Sequence, residues 1–210
     1  MVEFSIDAFA LRGKVVLITG GASGLGKYYT QAVSKVGADV FVVSSSREGW
    51  EETRKQVEDA GRRVVFMEQD ITEEAAAQAI VNKVTEEYGR IDVLINNAGM
   101  QRRHELVDFP DEDWKAVIDL NLNALYYLSH EVAKIMIDQG SGKIVNIGSM
   151  QSFRAGKVIY PYTASKHAVV GLTKAYADAL APPPQYSGQH LGSRLYQHPH
   201  DQGPPGGSRP

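Results

Sequence analysis

Residues 14–26, KVVLITGGASGLG, decide the fold. Residues 14–19 (KVVLIT) are a short apolar run, which predicts a buried strand. The run stops at a turn holding Gly20, Gly21, Gly24 and Gly26. Residues 25–36 then carry helical spacing through Leu25, Tyr28, Ala32, Val33 and Val36, and stop at Gly37. A strand, a glycine turn and a helix in direct succession put backbone N–H groups and a positive dipole end where an anion can sit. Gly20 suits a tight turn, Gly24 lets backbone approach a pyrophosphate, and Gly26 permits close helix–strand contact. The pattern predicts a dinucleotide-binding turn over Thr19, Gly20, Ser23, Gly24, Leu25 and Gly26.

The same alternation continues outward. Strands are predicted at 40–43, 63–67, 91–95 and 143–147. Helices are predicted at 48–60, 74–88, 111–137 and 161–180, two of them ending at Gly61 and Gly89. Asp111 follows Pro110 as an N-cap, and Pro161 falls in a first turn where its missing N–H is harmless. Strict β-α alternation with near-continuous apolar strands predicts an α/β fold. Its form is a Rossmann-type doubly wound parallel sheet, truncated after the fifth strand–helix unit.

Composition removes several functions. Lys plus Arg number 22 and Asp plus Glu 25, a net charge of −3, so no nucleic-acid partner is expected. With no cysteine there is no disulfide framework, thiolate zinc site or thiol nucleophile. His104, His130 and His167 are scattered without ligand spacing, so no metal is expected. No apolar run reaches the length of a membrane span, and the N-terminus lacks a signal-peptide pattern, so a cytoplasmic protein is expected. Trp50 and Trp114 lie on helices and are expected to be packing residues.

Tyr162 and Lys166 are four residues apart, on one face of a predicted helix. A cation one turn from a phenol stabilises phenolate, which suits proton exchange with an alcohol or a carbonyl. Ser149 follows the fifth strand, at the sheet end where ligands bind in parallel α/β folds. At the end of the second strand an acid usually bonds the ribose 2′-OH of NAD, but here the residues are Ser44, Ser45, Ser46 and Arg47. Arg47 could meet a 2′-phosphate, and the choice between NAD and NADP stays open.

Together these residues resemble the short-chain dehydrogenase/reductase family over about residues 11–181. The resemblance rests on the TGxxxGxG turn at 19–26, Asp70 after the third strand, and NNAG at 96–99. It also includes Asn121 in DLNLNA, Ser149 in NIGSM, and YxxxK at 162–166. The family implies Tyr162 as acid/base and Ser149 as orienter of the substrate oxygen. It implies that Lys166 holds the nicotinamide ribose, and that Asn121 supports a water relay. Asp70, with Ile71 beside it, is implied at the adenine, and Asn97, Ala98 and Gly99 along the cofactor.

The stretches NNAGMQRRHELVDF and KIVNIGSMQSFRAGKVIYPYTASKHAVVGLTKAYADAL are most similar to gluconate 5-dehydrogenases and 2-deoxy- or 2-keto-3-deoxy-gluconate dehydrogenases. A sugar-acid substrate is therefore expected. Arg102, Arg103 and Arg154 follow the fourth and fifth strands, where one could fork onto a carboxylate. The family also implies a homo-oligomer through the fourth and fifth helices. A non-catalytic dinucleotide-binding module and a non-functional truncated product are the alternatives.

Residues 182–210 differ from the rest. They hold seven of the 9 prolines and no Ala, Val, Ile, Phe, Met, Lys or Glu. A globular domain over 1–181 and a Pro/Gly-rich disordered tail over 182–210 are expected. Back-translated and read one base later, the tail allows RNIQVNTLAPGFINTPMTKDRLAEAG from Pro184 onward, which resembles the family's next strand and substrate segment. A one-base slip in the codons of Pro182, Pro183 and Pro184 is expected, and with it low stability and little activity for this chain.

Overall fold

The computed structural model describes residues 6–181. The expectations for residues 182–210, the disordered tail and the slipped frame among them, lie outside the described residues. Five parallel strands form one sheet: β1 (Val15–Thr19), β2 (Asp39–Ser44), β3 (Val64–Glu68), β4 (Val93–Asn96) and β5 (Lys143–Asn146). Their spatial order is β3-β2-β1-β4-β5, the doubly wound arrangement expected from the alternation. The helices are α1 (Gly24–Lys35), α2 (Trp50–Asp59), α3 (Ala76–Tyr88), α4 (Asp111–Ile118), α5 (Leu125–Asp138) and α6 (Tyr160–Leu180).

The apolar strands are covered on both faces, which is why they show no polar alternation. Leu17, Phe41 and Val43 point to one side and pack with Ile80 and Val84 of α3 and Leu128, Val132 and Met136 of α5. Val16, Ile18, Val40 and Val42 point to the other and pack with Trp50 and Val57 of α2. Side chains such as Leu17 and Ile18, fully removed from water, each contribute about 2 kcal/mol. At the strand N-terminal ends the Asp92 carboxylate accepts from the Val15 N–H and pairs with Arg90 and Lys14.

Three local expectations are corrected. The helix predicted over 111–137 is interrupted: residues Asp119–Ala124 form a π-helical turn between α4 and α5. A widened turn admits an extra residue without disturbing the apolar spacing on either side, so periodicity does not show it. Asp111 is not the cap of α4. Pro110 holds that position, and Asp111, Glu112 and Asp113 occupy the first turn, where carboxylates suit the helix dipole. Trp114 is 45% exposed, whereas Trp50 is buried and stacked on Phe66 with ring centroids 4.6 Å apart.

β5 is the edge of the sheet among the described residues, paired only with β4. Its Val145 is 43% exposed. No helix among the described residues is long and apolar enough to cross a membrane.

Candidate active site

The chain crosses from one side of the sheet to the other between β1 and β4. Neighbouring strand ends there lead to helices on opposite faces, which opens a crevice. A cleft of about 640 Å³ occupies this position. It is lined by Gly20, Ser23, Gly24, Leu25, Ser44, Asp70, Ile71, Asn97, Ala98 and Gly99, all expected from the sequence. Val43, Ser45, Ser46, Gln69, Thr72, Met100, Ala116, Asp119 and Leu120 line it as well.

The glycine turn has the form its sequence predicts. Gly24 opens α1 at φ +52°, and a Cβ there would meet nothing within 4 Å, so the backbone is bare toward the cleft. A Cβ on Gly26 would overlap the Gly20 carbonyl oxygen and come within 2.6 Å of Asn97 Nδ2. Gly26 therefore lies beneath the turn and supports it. Ser23 takes the N-cap position of α1 with extended backbone and makes no side-chain cap bond. A bare glycine backbone at a helix N-terminus, beside a cleft of this volume, fits a pyrophosphate.

Thr19 is buried below the cleft and does not line it. Its Oγ1 accepts the N–H groups of Asn97 and Ala98, both at 3.1 Å. Asn97 Nδ2 returns bonds to the carbonyls of Thr19 at 3.0 Å and Gly20 at 3.1 Å. The ends of β1 and β4 are thus tied together by side chains. Arg47 lies outside the lining, with its Nε on Glu68 Oε2 at 3.2 Å.

Tyr162 and Lys166 occupy the first two turns of α6, on one face, as their spacing predicts. Lys166 Nζ lies 5.8 Å from the Tyr162 ring centroid and donates to the Ile147 carbonyl at 2.6 Å. Lys166 is 5% exposed, and burial lowers its pKa from the usual lysine value. Ser149 caps a short 3-10 turn, Met150–Ser152, where its Oγ accepts the Gln151 N–H at 3.2 Å.

Asn121 sits in the π turn and is buried. Its Oδ1 accepts the Met100 N–H, and its Nδ2 donates to the Met100 carbonyl, both at 2.9 Å. Nδ2 also donates to Ser165 Oγ at 3.2 Å, and Ser165 donates to the Tyr162 carbonyl at 2.9 Å. Ser165 is absent from the sequence-based set, although it stands between the tyrosine and lysine of YTASK. Its buried hydroxyl joins Asn121, which holds the loop after β4, to the first turn of α6. A second chain of bonds reaches α6 from the sheet. Asn96 Nδ2 donates to Asn146 Oδ1 at 2.8 Å, and Asn146 Nδ2 donates to Thr173 Oγ1 at 2.9 Å.

The three arginines differ. Arg102 Nε pairs with Asp113 Oδ1 at 3.3 Å, while His104 Nε2 meets the other oxygen at 2.6 Å. Arg103 and Arg154 are exposed on the loops after β4 and β5. The two loops are joined where the His104 N–H donates to the Val158 carbonyl at 3.1 Å. Gln151 Oε1, two residues past Ser149, is buried without a hydrogen-bond partner. No cluster of three His, Asp or Glu residues able to hold a metal ion occurs among the described residues.

The sequence pattern described as short chain dehydrogenase matches residues 14–183. The chain belongs to that family. It is 45% identical over 177 residues to the uncharacterized oxidoreductase YgcW of Escherichia coli (strain K12), covering 84% of this chain and 67% of the relative. It is 40% identical over 177 residues to the 2-dehydro-3-deoxy-D-gluconate 5-dehydrogenase of Bacillus subtilis (strain 168), covering 83% and 68%. Among solved structures, NAD+-bound xylitol dehydrogenase superposes with a TM-score of 0.79 at 30% identity, covering 82% of this chain and 66% of that one. As a short-chain dehydrogenase the protein is an oxidoreductase that exchanges alcohol for ketone with NAD or NADP.

Proposed function

We propose that this short-chain dehydrogenase interconverts a secondary alcohol and a ketone on a sugar acid, with Tyr162 as the proton donor and acceptor. The observation that carries the proton role is the Lys166 ammonium, buried on the Ile147 carbonyl beside the Tyr162 ring. A cation beside the phenol suits proton exchange between Tyr162 and an alcohol or carbonyl oxygen. Ser149 orients the substrate oxygen toward Tyr162. Asn121 holds Met100 and, through Ser165, the first turn of α6, a route along which a proton relay can be assembled.

The cofactor supplies hydride chemistry at the nicotinamide. Its pyrophosphate is assigned to the turn at Gly20, Ser23, Gly24 and Leu25, with Gly26 beneath it. Its adenosine side is assigned to Ser44, Asp70 and Ile71, and its nicotinamide side to Asn97, Ala98, Gly99 and Lys166. Thr19 serves by holding Asn97 and Ala98 in place.

The acid substrate is supported by relatives named 2-dehydro-3-deoxy-D-gluconate 5-dehydrogenase and 5-keto-D-gluconate 5-reductase. Arg103 and Arg154, exposed beside the site, are the better carboxylate ligands, because Arg102 already has Asp113. Pairing of two copies through α4–α5 and α6 belongs to the same proposal, supported by exposed Tyr126, Tyr127 and Ile137 on α5.

The test follows reduced-cofactor absorbance with gluconate-type acids and with neutral polyols of equal length. The absolute rate of this chain is expected to be low, and the acids are expected to turn over with the higher kcat/KM. Arg103→Ala or Arg154→Ala is expected to raise the acid KM more than about tenfold, with kcat little changed. Equal rates on acids and polyols, with neither arginine variant affecting KM, would refute the acid assignment. Sedimentation of the same preparation reads the oligomer.

A further inference from the structure

We propose that Glu68 sets the cofactor preference, by holding the Arg47 guanidinium away from the ribose so that the cleft takes NAD over NADP. The inference rests on the assignment of the cleft as the nucleotide site. It goes further in naming the nucleotide and the residue that selects it.

The only chemical difference between the two nucleotides is the 2′-phosphate, which adds negative charge beside the adenosine ribose. In a sheet of this order the ribose lies at the C-terminal end of β2. Ser44, Ser45 and Ser46 line the cleft there, with neutral hydroxyls. None of the lining residues is basic, whereas Asp70 and Asp119 are acidic. Charge within the cleft therefore disfavours a second phosphate, unless a cation is supplied from its rim.

Two cations stand near that rim, and each already has a carboxylate. Lys27, in the first turn of α1, donates to both oxygens of Glu52 at 3.1 Å. Arg47, just past β2, bonds Glu68 at 3.2 Å. Glu68 reaches Arg47 because the parallel register sets it directly beside Ser44. Arg47 is further fixed over the Phe66 ring, 5.1 Å from its centroid, and Phe66 in turn stacks on the buried Trp50. An aromatic face and a carboxylate together orient the planar guanidinium more strongly than an exposed ion pair alone. Glu68 thus acts twice: it occupies Arg47, and its own charge opposes a 2′-phosphate at the end of β2.

The experiment titrates the 210-residue chain with NADH and with NADPH, reading nucleotide fluorescence at low and moderate salt. The wild type is expected to bind NADH at least about tenfold more tightly. In Glu68→Gln, and in Glu68→Ala as a second variant, the NADPH/NADH ratio of Kd values is expected to fall by about tenfold, less at the higher salt. NADH binding in each variant reports that its cleft is folded. Adding Arg47→Ala to Glu68→Gln is expected to remove the part of the gain that Arg47 supplies, moving the ratio back toward the wild-type value. A wild type that prefers NADPH, a ratio unmoved by both Glu68 variants, or a double variant that keeps the whole gain would each overturn the inference. Failure to bind either nucleotide would instead overturn the assignment of the cleft itself.

Discussion

Asn121 grips the backbone of Met100 from both sides, accepting its N–H and donating to its carbonyl at 2.9 Å. The grip works because the π turn at Asp119–Ala124 carries Asn121 inward, opposite a loop of the cleft wall. One side chain therefore satisfies a backbone donor and a backbone acceptor that would otherwise need partners of their own.

Asn121→Leu keeps the branched heavy-atom shape and removes both bonds, together with the one to Ser165. Leaving buried polar groups unpaired is expected to cost about 2 kcal/mol or more, read as a lower urea midpoint. Nucleotide affinity is expected to fall as well, because Met100 lines the cleft. An unchanged midpoint and an unchanged Kd would contradict this role.

Two neighbouring glycines are expected to respond differently. Gly26→Ala drives a methyl into the Gly20 carbonyl and the Asn97 amide, so stability falls by about 1–3 kcal/mol and NADH binding is lost. Gly24→Ala meets no atom within 4 Å but holds alanine at φ +52°, and is expected to cost only about 1 kcal/mol. Thermal unfolding of the two variants side by side measures the difference.

Asp92 makes stability depend on acid. Burial alone pushes its carboxyl pKa up, but bonds from Arg90, the Val15 N–H and Lys14 outweigh it and hold the pKa below the usual aspartate value. The stabilisation is therefore present above the unfolded aspartate pKa and is lost as pH falls through the folded one. Asp92→Asn is expected to cost about 2 kcal/mol at neutral pH, since Arg90 and Lys14 are half in solvent. Urea titrations should show the gap between wild type and variant closing in acid.

Lys166 has the opposite sense. Burial lowers its pKa, so the folded chain holds that proton less tightly than the unfolded chain does. The cost is fully present below the folded pKa and is relieved as pH rises toward the unfolded lysine value of about 10.4. Relative to Lys166→Met, the wild type is expected to gain stability on going from neutral to alkaline pH. A gap that stays constant or narrows against the wild type would rule this out.

What the sequence revealed followed from short-range pattern. KVVLIT ahead of a glycine turn gave β1, the turn and α1 because strand, turn and helix are local and contiguous. Tyr162 and Lys166 were visible because helical spacing alone puts them on one face. The hidden features are made by distant parts of the chain. The π turn leaves the apolar period intact on both sides, so 111–137 looked like one helix. Arg102 looked equivalent to Arg103 until Asp113, on the next helix, took its charge. Glu68 gained meaning only from a strand register that sets it beside Ser44. Trp114 carries the composition of a core residue but lies on the half-exposed side of α4.

Thr19 and Asn97 tie β1 to β4 with bonds made entirely within the protein. The crevice is therefore assembled before any nucleotide arrives. Its walls need no loop ordering on the binding step, so the encounter rate is governed by diffusion and charge and not by a slow isomerisation of these strand ends. Rapid mixing with NADH would then give a single phase whose rate rises linearly with concentration. In a mutational survey Thr19 and Asn97 would behave as one coupled unit, intolerant of change at either position.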